Sequence, residues 1–358
     1  MNETKRLAAF QNPEFYKKQN LRLSTALTPR VIACAEDLPA HIELPRGCLD
    51  DLEALLRDHG VALSIQDMRN DGKPLDVTFR GQLTAPQKKA ARALLKEDFG
   101  IFVAPPCTGK TVVGIHAITQ RARNTLILVH RQPLLEQWVT QLAVFLGLET
   151  KEIGRIGGGK RNPNGTLDVA MLQSLVRRGK IDDLVASYGH VIVDECHHVP
   201  AVSFERVLRE VKARFVTGLT ATPLRRDGHH PIIEMQLGPI RFEIDSKSKI
   251  SRPAIEHQLI VRDTSFRHKG DAERPPIQAL YRARAADDSR NELIIDDVLR
   301  ALEEGRSPSL LTERKDHLTF FADRLAKFTR HMVVLHGGMG GETASRGCGT
   351  ARLYSTDR

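Results

Sequence analysis

The sequence lacks the marks of a secreted or membrane-spanning chain. Its 358 residues include five cysteines, an odd number with no Cys-x-x-Cys pair, so neither a disulfide framework nor a zinc site is predicted. No run of about 18 consecutive apolar residues occurs, and the start at Met1 does not lead into the apolar core of a signal peptide. We therefore expect a reducing, cytoplasmic location and no membrane partner.

The composition is that of a globular chain with an excess of positive charge. Hydrophobic residues make up 41% and charged residues 27%, which excludes wholesale disorder and a collagen-like fibre. At this length two or three domains are expected. Lys and Arg number 53 against 44 Asp and Glu, a formal net charge of +9. This balance is compatible with a polyanionic partner, since cations placed on phosphates release counterions, but many soluble proteins are equally basic.

From Val77 onward, short apolar runs rich in β-branched residues alternate with helical stretches. This alternation is typical of an α/β fold, a doubly wound parallel sheet covered by helices on both faces. The predicted strands are 100–103, 125–129, 167–171, 190–193 and 214–217, and the predicted helices are 84–97, 110–122, 132–147 and 203–212.

A second alternating stretch follows Pro253 and resembles the first half of another α/β unit. Its predicted strands are 256–261, 309–312 and 332–335, and its predicted helices are 277–304 and 314–328. Residues 344–358 show neither a helical nor a strand period, so we expect an irregular tail.

The segment Ala104-Pro-Pro-Cys-Thr-Gly-Lys-Thr111 directly follows a predicted buried strand. It is a P-loop in which Ala104 replaces the first glycine. Small residues allow backbone N–H groups to surround phosphate oxygens, and the next helix directs its positive end at them. Lys110 would supply charge to the β- and γ-phosphates, and the Thr111 hydroxyl would reach Mg²⁺. Gly-Lys-Thr also occurs by chance, but its place between a strand and a helix argues against chance.

A second acidic signal follows another predicted strand. Asp194 and Glu195 come directly after 190–193, where Asp194 could hold the water shell of Mg²⁺ and Glu195 could polarise an attacking water. Paired acids at such a position can also cap the next helix. The order of the two signals, with the acids 84 residues after Lys110 (194 − 110), favours the nucleotide-site interpretation.

Together with Thr125–Trp138, Val169-Ala-Met-Leu-Gln-Ser174 and Gly218-Leu-Thr-Ala-Thr-Pro223, these motifs resemble superfamily 2 helicases and translocases. The similarity covers roughly residues 80–343. It points to the DExH-type branch of the XPB repair helicase and the type III restriction translocases, in which alanine is usual at the position of Ala104. The resemblance implies a RecA-like P-loop domain that uses ATP and Mg²⁺.

The resemblance also implies a set of site residues. Those expected to bind nucleotide are Gln87, Pro106, Cys107, Thr108, Gly109, Lys110, Thr111 and His197, with Thr111 and Asp194 at the metal and Lys110, Asp194 and Glu195 catalytic. Those expected to contact nucleic acid or to couple it to the nucleotide are His130, Arg131, Gln173, Thr220 and Thr222. Two alternatives stay open: 134–142 either pack in the core, which is favoured, or contact nucleic acid, and 157–161 form either a turn or an amide nest for a phosphate.

The predicted organisation has four parts. Residues 1–76 form a small N-terminal α/β linking segment, 77–248 the first RecA-like domain, 249–343 an incomplete second RecA-like domain and 344–358 an aberrant tail. The first part resembles the segment that joins a primase-type domain to the helicase core in bacterial conflict-system proteins. The family's motifs V and VI are not found in the sequence, so we expect a truncated product with weak ATPase activity and no processive unwinding.

The function predicted from the sequence is ATP-dependent translocation on, or unwinding of, nucleic acid, with DNA favoured over RNA. One alternative is a non-catalytic remnant that binds nucleotide and nucleic acid. Another is the motor half of a restriction or repair assembly, completed by a protein partner that supplies motifs V and VI. A nuclease centre of the PD…ExK kind is not evident, which disfavours cleavage.

Overall fold

The computed structural model describes residues 3–177, 179–198, 202–222, 227–244, 258–267, 276–329 and 332–336. The chain divides into two compact units, Met1–Ile255 and Glu256–Arg358. The four-part division stays a prediction, and its tail, 344–358, lies outside the described residues. Among the described residues, no helix is both long and apolar enough to cross a bilayer.

Eleven α-helices and fourteen strands are found in the described ranges. The helices are α1 (Glu3–Arg6), α2 (Pro13–Asn20), α3 (Leu49–Asp58), α4 (Ala85–Lys96), α5 (Lys110–Arg121), α6 (Gln132–Leu146), α7 (Val202–Arg209), α8 (Pro231–Leu237), α9 (Ile277–Ala285), α10 (Asp288–Glu303) and α11 (Lys315–Leu325). The strands are β1 (Ala9–Gln11), β2 (Val31–Ala33), β3 (Glu36–Asp37), β4 (Ile42–Glu43), β5 (Phe99–Val103), β6 (Thr125–Val129), β7 (Gly154–Gly157), β8 (Lys160–Asn162), β9 (Leu167–Met171), β10 (Val176–Arg177), β11 (Lys180–Ile181), β12 (His190–Asp194), β13 (Phe215–Thr220) and β14 (Ile240–Glu243).

The centre of the first unit is an eight-stranded sheet in the order β14-β5-β13-β12-β6-β9-β7-β8. All its neighbouring pairs are parallel except β7 with β8. The predicted mixed α/β fold with a mainly parallel sheet is confirmed, and its five predicted strands are β5, β6, β9, β12 and β13. The three strands that the sequence did not predict lie at the ends of the sheet.

Helices cover both faces of this sheet because side chains alternate along its strands. Ile101 and Val103 of β5 join a core cluster with α7, α8 and the N-terminal segment. Phe102, between them, joins a second cluster with α4, α5 and α6 on the opposite face. The strands are therefore apolar on both faces, as their near-continuous hydrophobic runs predicted.

The N-terminal segment packs against the α7 and α8 side of the sheet. Cys34 and Cys48 are buried in the core cluster there, and both are free thiols. The buried guanidinium of Arg46 donates hydrogen bonds to the carbonyl oxygens of Val211 and Ala213. These bonds anchor the segment to the chain that leads into β13.

The second unit contains α9, α10 and α11 in its described residues. Ile295, Phe321 and Leu325 form its buried core. The two ring nitrogens of His317 are hydrogen-bonded to Asn291 and to Thr312, each at 3.0 Å. Helix α11 lies within the predicted stretch 314–328, whereas the single predicted stretch 277–304 is divided into α9 and α10. The division falls at Asp287, whose side chain caps the start of α10.

The strands predicted in the second unit are wrong where the structure describes them. Residues 258–261, 309–312 and 332–335 are not strands. A strand is stabilised by backbone hydrogen bonds to a neighbouring strand, and the described part of this unit contains none. Apolar β-branched composition alone does not produce a sheet.

Candidate nucleotide site

Seven parallel strands of the first unit end at one rim of the sheet, and the middle five follow the spatial order β5, β13, β12, β6 and β9. The register pairs Val103 at the end of β5 with Thr220 of β13, and Leu219 of β13 with Asp194 of β12. We call this edge the carboxyl rim. The P-loop and the acidic pair therefore lie at the same rim, separated only by β13.

The P-loop leaves β5 and ends where α5 begins at Lys110. Gly109 has a φ of 82°, in the left-handed region, and a Cβ there would overlap Nε2 of Gln87. Cys107 also has a positive φ, 63°. The Thr108 hydroxyl donates to the carbonyl oxygen of Pro105 at 2.7 Å, which fixes the curvature of the loop. Pro106 and Cys107 are exposed at its tip.

Lys110 and Gln87 hold the two ends of this loop. Lys110 Nζ donates to the carbonyl oxygen of Ala104 at 3.1 Å, so the ammonium lies across the inside of the loop. The Gln87 amide Nε2 donates to the Thr108 carbonyl at 2.9 Å, and its Oε1 accepts from the Thr84 backbone N–H at 2.9 Å. Gln87 thus caps α4 and contacts the loop with the same side chain.

Asp194 is almost fully buried, and each of its carboxylate oxygens accepts one hydrogen bond. Trp138 Nε1 donates to Oδ2 at 2.8 Å, and the backbone N–H of Glu195 donates to Oδ1 at 3.0 Å. Burial raises the pKa of Asp194, whereas the bond from Trp138 and the charge of Lys110 act in the opposite direction. The influence of Lys110 on this carboxylate follows from their meeting at the carboxyl rim.

Glu195 belongs to a polar chain that crosses from β12 to β13. His197 Nδ1 lies 3.3 Å from Glu195 Oε2 and 3.1 Å from Thr220 Oγ1. Thr220 Oγ1 in turn accepts from the backbone N–H of Thr222 at 3.2 Å. Hydrogen bonding from His197 lowers the pKa of Glu195; burial opposes this and Lys110 adds to it. The Glu195 carboxylate is therefore ionised, and both of its oxygens can accept hydrogen bonds.

The remaining residues with a predicted nucleic-acid role lie farther along the rim. His130 and Arg131 directly follow β6, and Gln173 follows β9. Gln173 Nε2 donates to the carbonyl oxygen of His130 at 3.1 Å. The sequence suggested no role for His198. The centroid of its ring lies 4.0 Å from the ring centroid of His130 and 4.2 Å from that of His197.

A basic cleft of about 350 Å³ adjoins Gln173 at the β7–β8 end of the sheet. Its lining includes Lys160, Arg161 and Arg177. Residues 157–161 were predicted to form either a turn or an amide nest. They belong to the tight β7–β8 hairpin, in which Gly158 and Gly159, both at positive φ, connect the two strands.

The structure shows two residues of the site that sequence reasoning missed. Trp138 was predicted to be a core residue, and it is buried, but its indole N–H also reaches Asp194, 56 residues away. No local sequence pattern indicates that bond. His198 is placed against His130 only by the neighbouring positions of β12 and β6.

The donor set fits a nucleoside triphosphate and Mg²⁺. An ammonium lies inside a loop that opens onto a helix N-terminus, next to a hydroxyl-bearing Thr111 and a buried carboxylate. Thr111 and Asp194 are the residues that would hold Mg²⁺, because a hydroxyl and a carboxylate are oxygen ligands of the kind that this ion prefers.

The sheet order and the position of this loop give an α/β fold of the RecA-like kind. The UvsW helicase of bacteriophage T4 has a similar fold, with a TM-score of 0.51 at 17% sequence identity over 68% of this chain and 92% of that chain. A second crystal structure of T4 UvsW gives a TM-score of 0.52 at 14% identity over 96% of this chain and 72% of that chain.

Sequence comparison shows which proteins the chain is similar to. Residues 80–225 match the family model of the type III restriction enzyme, res subunit. The DNA 3'-5' translocase XPB2 of Sulfurisphaera tokodaii is 33% identical over 156 residues, 44% of this chain and 34% of that protein. The DNA 3'-5' helicase XPB of Mycobacterium tuberculosis is 32% identical over 180 residues, 48% of this chain and 32% of that protein. The resemblance to superfamily 2 helicases of the XPB and type III restriction kind is confirmed. The chain spans about a third of the length of these two curated relatives.

Proposed function

We propose that this chain is an ATP-dependent motor that moves along or unwinds nucleic acid. The observation that supports the proposal is the meeting of two groups at the carboxyl rim. The loop that ends in Lys110 lies one strand away from Asp194 and Glu195. Both the charge for a terminal phosphate and the acids for metal and water are therefore available within one site.

In this proposal each group of the chain has a separate task. Lys110 and the backbone of the loop neutralise the β- and γ-phosphates, and Thr111 and Asp194 hold Mg²⁺, which supplies charge neutralisation when bound. Glu195 accepts the hydrogen bond of the attacking water at a carboxylate oxygen. Because hydrogen bonding from His197 lowers its pKa, the carboxylate is ionised and can accept that hydrogen bond.

The nucleic-acid track in this proposal is the part of the carboxyl rim formed by His130, Arg131 and Gln173. The polar chain Glu195–His197–Thr220 would report the state of the nucleotide to that rim. DNA is the favoured substrate, because the names of the two XPB relatives specify DNA.

Two substitutions test the assignment. Lys110→Ala is expected to abolish binding of a fluorescent ADP analogue, because it removes the ammonium from the loop. Glu195→Gln is expected to keep that binding and to lower phosphate release in the presence of single-stranded DNA by at least about 100-fold, the range for loss of a general base. Lys88→Ala, on the exposed face of α4, is the matched control and should change neither quantity.

The outcomes separate the candidate functions. Unchanged phosphate release in both site variants would remove the P-loop assignment. Nucleotide binding by the wild-type chain with no phosphate release, with or without DNA, would instead favour the non-catalytic binding protein. Phosphate release that requires an added protein carrying motif VI would favour a motor completed in trans.

A further inference from the structure

The only tryptophan of the chain contacts the proposed metal-holding carboxylate. Trp138 lies on α6, is completely buried, and donates its indole N–H to Asp194 Oδ2 at 2.8 Å. An indole N–H has no acceptor function and must find one partner when buried, since an unpaired buried donor is costly. Asp194 is that partner.

The indole ring is fixed by the helix that follows the P-loop. A Cβ at Gly114 of α5 would lie 3.0 Å from Trp138 Cη2, so the ring fills the space that this glycine leaves. The ring is thus packed against the helix that begins at Lys110. Its N–H direction is set by this packing and by the position of α6.

The two oxygens of the Asp194 carboxylate accept hydrogen bonds from two different donors. Oδ2 accepts from Trp138, and Oδ1 accepts from the Glu195 backbone N–H. Rotation of the carboxylate would break both bonds in an almost fully buried site, where lost hydrogen bonds are costly. Each oxygen still has a lone pair left for a metal-bound water, because a carboxylate offers about four acceptor positions.

We propose that Trp138 is a positioning residue that orients the Asp194 carboxylate for Mg²⁺, an inference that rests on the proposed nucleotide function. Partners that orient a metal-holding side chain commonly change metal affinity about 10- to 100-fold when they are removed. Trp138 acts through Asp194 and does not itself touch substrate.

Trp138→Phe keeps an aromatic but smaller side chain and removes the N–H donor. We expect it to raise the Mg²⁺ concentration that half-saturates binding of a fluorescent ADP analogue by at least about tenfold. Affinity for the analogue measured in EDTA should stay within about twofold, because Lys110 and the loop are intact. The matched control is Tyr188→Phe, which removes another buried donor to a buried aspartate, Asp168, at a pair that takes no part in the nucleotide site. It should leave the Mg²⁺ dependence unchanged.

The wild-type chain offers a second measurement that does not depend on how the variant folds. Since all tryptophan emission comes from Trp138, addition of Mg²⁺ to the ADP-bound chain should change that emission, whereas ADP in EDTA should not. An unchanged emission, or an unchanged Mg²⁺ dependence in Trp138→Phe, overturns the positioning role while nucleotide binding stands. An equal loss of affinity with and without Mg²⁺ also overturns it, because it indicates a structural role. If the wild-type chain binds no nucleotide, the proposed function fails and the positioning role fails with it.

Discussion

At the residue scale, two of the four described non-glycine residues with a left-handed φ lie at the candidate site. Cys107 and Glu195 have φ values of 63° and 49°, and non-glycine residues rarely adopt this left-handed region. Each costs roughly 1–2 kcal/mol relative to the right-handed region. Cys107 shapes the P-loop, and Glu195 turns the chain directly after β12. Strain of this kind persists where the surrounding structure imposes it, and it is common at functional sites.

Gly109→Ala is expected to weaken nucleotide binding. The new Cβ would adopt an unfavourable left-handed φ and would also displace Gln87 from the loop. Gly159→Ala is the matched control, because Gly159 has a φ of 80° but no atom near its Cβ position. Both variants should lose similar stability, about 1–2 kcal/mol in urea denaturation. Only Gly109→Ala should lose affinity for a fluorescent ADP analogue.

Wild-type nucleotide affinity in both glycine variants would contradict a role for the contact between Gln87 and the loop. A loss of affinity in Gly159→Ala as large as that in Gly109→Ala would show that general destabilisation, not the local contact, controls binding.

Residues whose function depends on a local motif are predictable from the sequence, and residues that act through space are not. The motifs also give the place of these residues at the rim. Asp194 ends β12 and Glu195 follows it, and Lys110 and Thr111 begin α5 after the loop that leaves β5. Trp138 looks like any buried apolar residue of a helix. Its bond to Asp194 exists only because the tertiary structure brings α6 near the carboxyl end of β12.

At the scale of elements, the sequence predicted the central strands and missed the outer ones. Strands β5, β6 and β12 are buried on both faces and show continuous apolar runs. By contrast, β8 is Lys160-Arg-Asn162 and exposed at the end of the sheet. An edge strand needs no apolar face, and charged residues there oppose pairing with another chain. Position in the sheet, which a single sequence does not reveal, decides whether the pattern is visible.

Docking of the N-terminal segment onto α8 depends on close approach at Gly47. A Cβ at Gly47 would overlap the carbonyl oxygen of Glu234, and backbone atoms cannot move aside as a flexible side chain can. Gly47→Ala is therefore expected to loosen this segment. Limited proteolysis should be faster, and hydrogen exchange in α3 should be faster as well. The substitution should also cost more stability than Gly60→Ala, where only the left-handed φ of 66° opposes the new Cβ.

If Gly47→Ala and Gly60→Ala destabilise the chain equally and exchange in α3 is the same, the segment does not depend on that close approach. Thermal unfolding of both variants beside the wild-type chain provides the comparison.

At the scale of the whole molecule, the formal net charge is +9, and the positions of the basic residues indicate where a polyanion would bind. Arg131 stands at the carboxyl rim directly after β6, and Lys160 and Arg177 line the cleft beside Gln173, where Arg161 is paired with Asp182. Positive charge thus continues from the nucleotide site toward the β7–β8 end of the sheet. A phosphate backbone lying along this rim would meet successive cations, whereas charge scattered over the surface would give only weak, position-independent attraction.

Arg131→Ala tests whether the rim is the nucleic-acid track. Each cation that contacts a phosphate contributes roughly one unit to the slope of log affinity against log salt concentration. The variant is expected to bind single-stranded DNA more weakly at low salt and to show a slope smaller by about one. Arg57→Ala, an exposed arginine in α3, removes the same charge away from the rim and should leave the slope nearly unchanged. Fluorescence anisotropy of labelled DNA over a series of salt concentrations measures both. Equal slopes for the two variants would mean that the net charge attracts DNA without a defined track, because only a localised contact distinguishes one arginine from another.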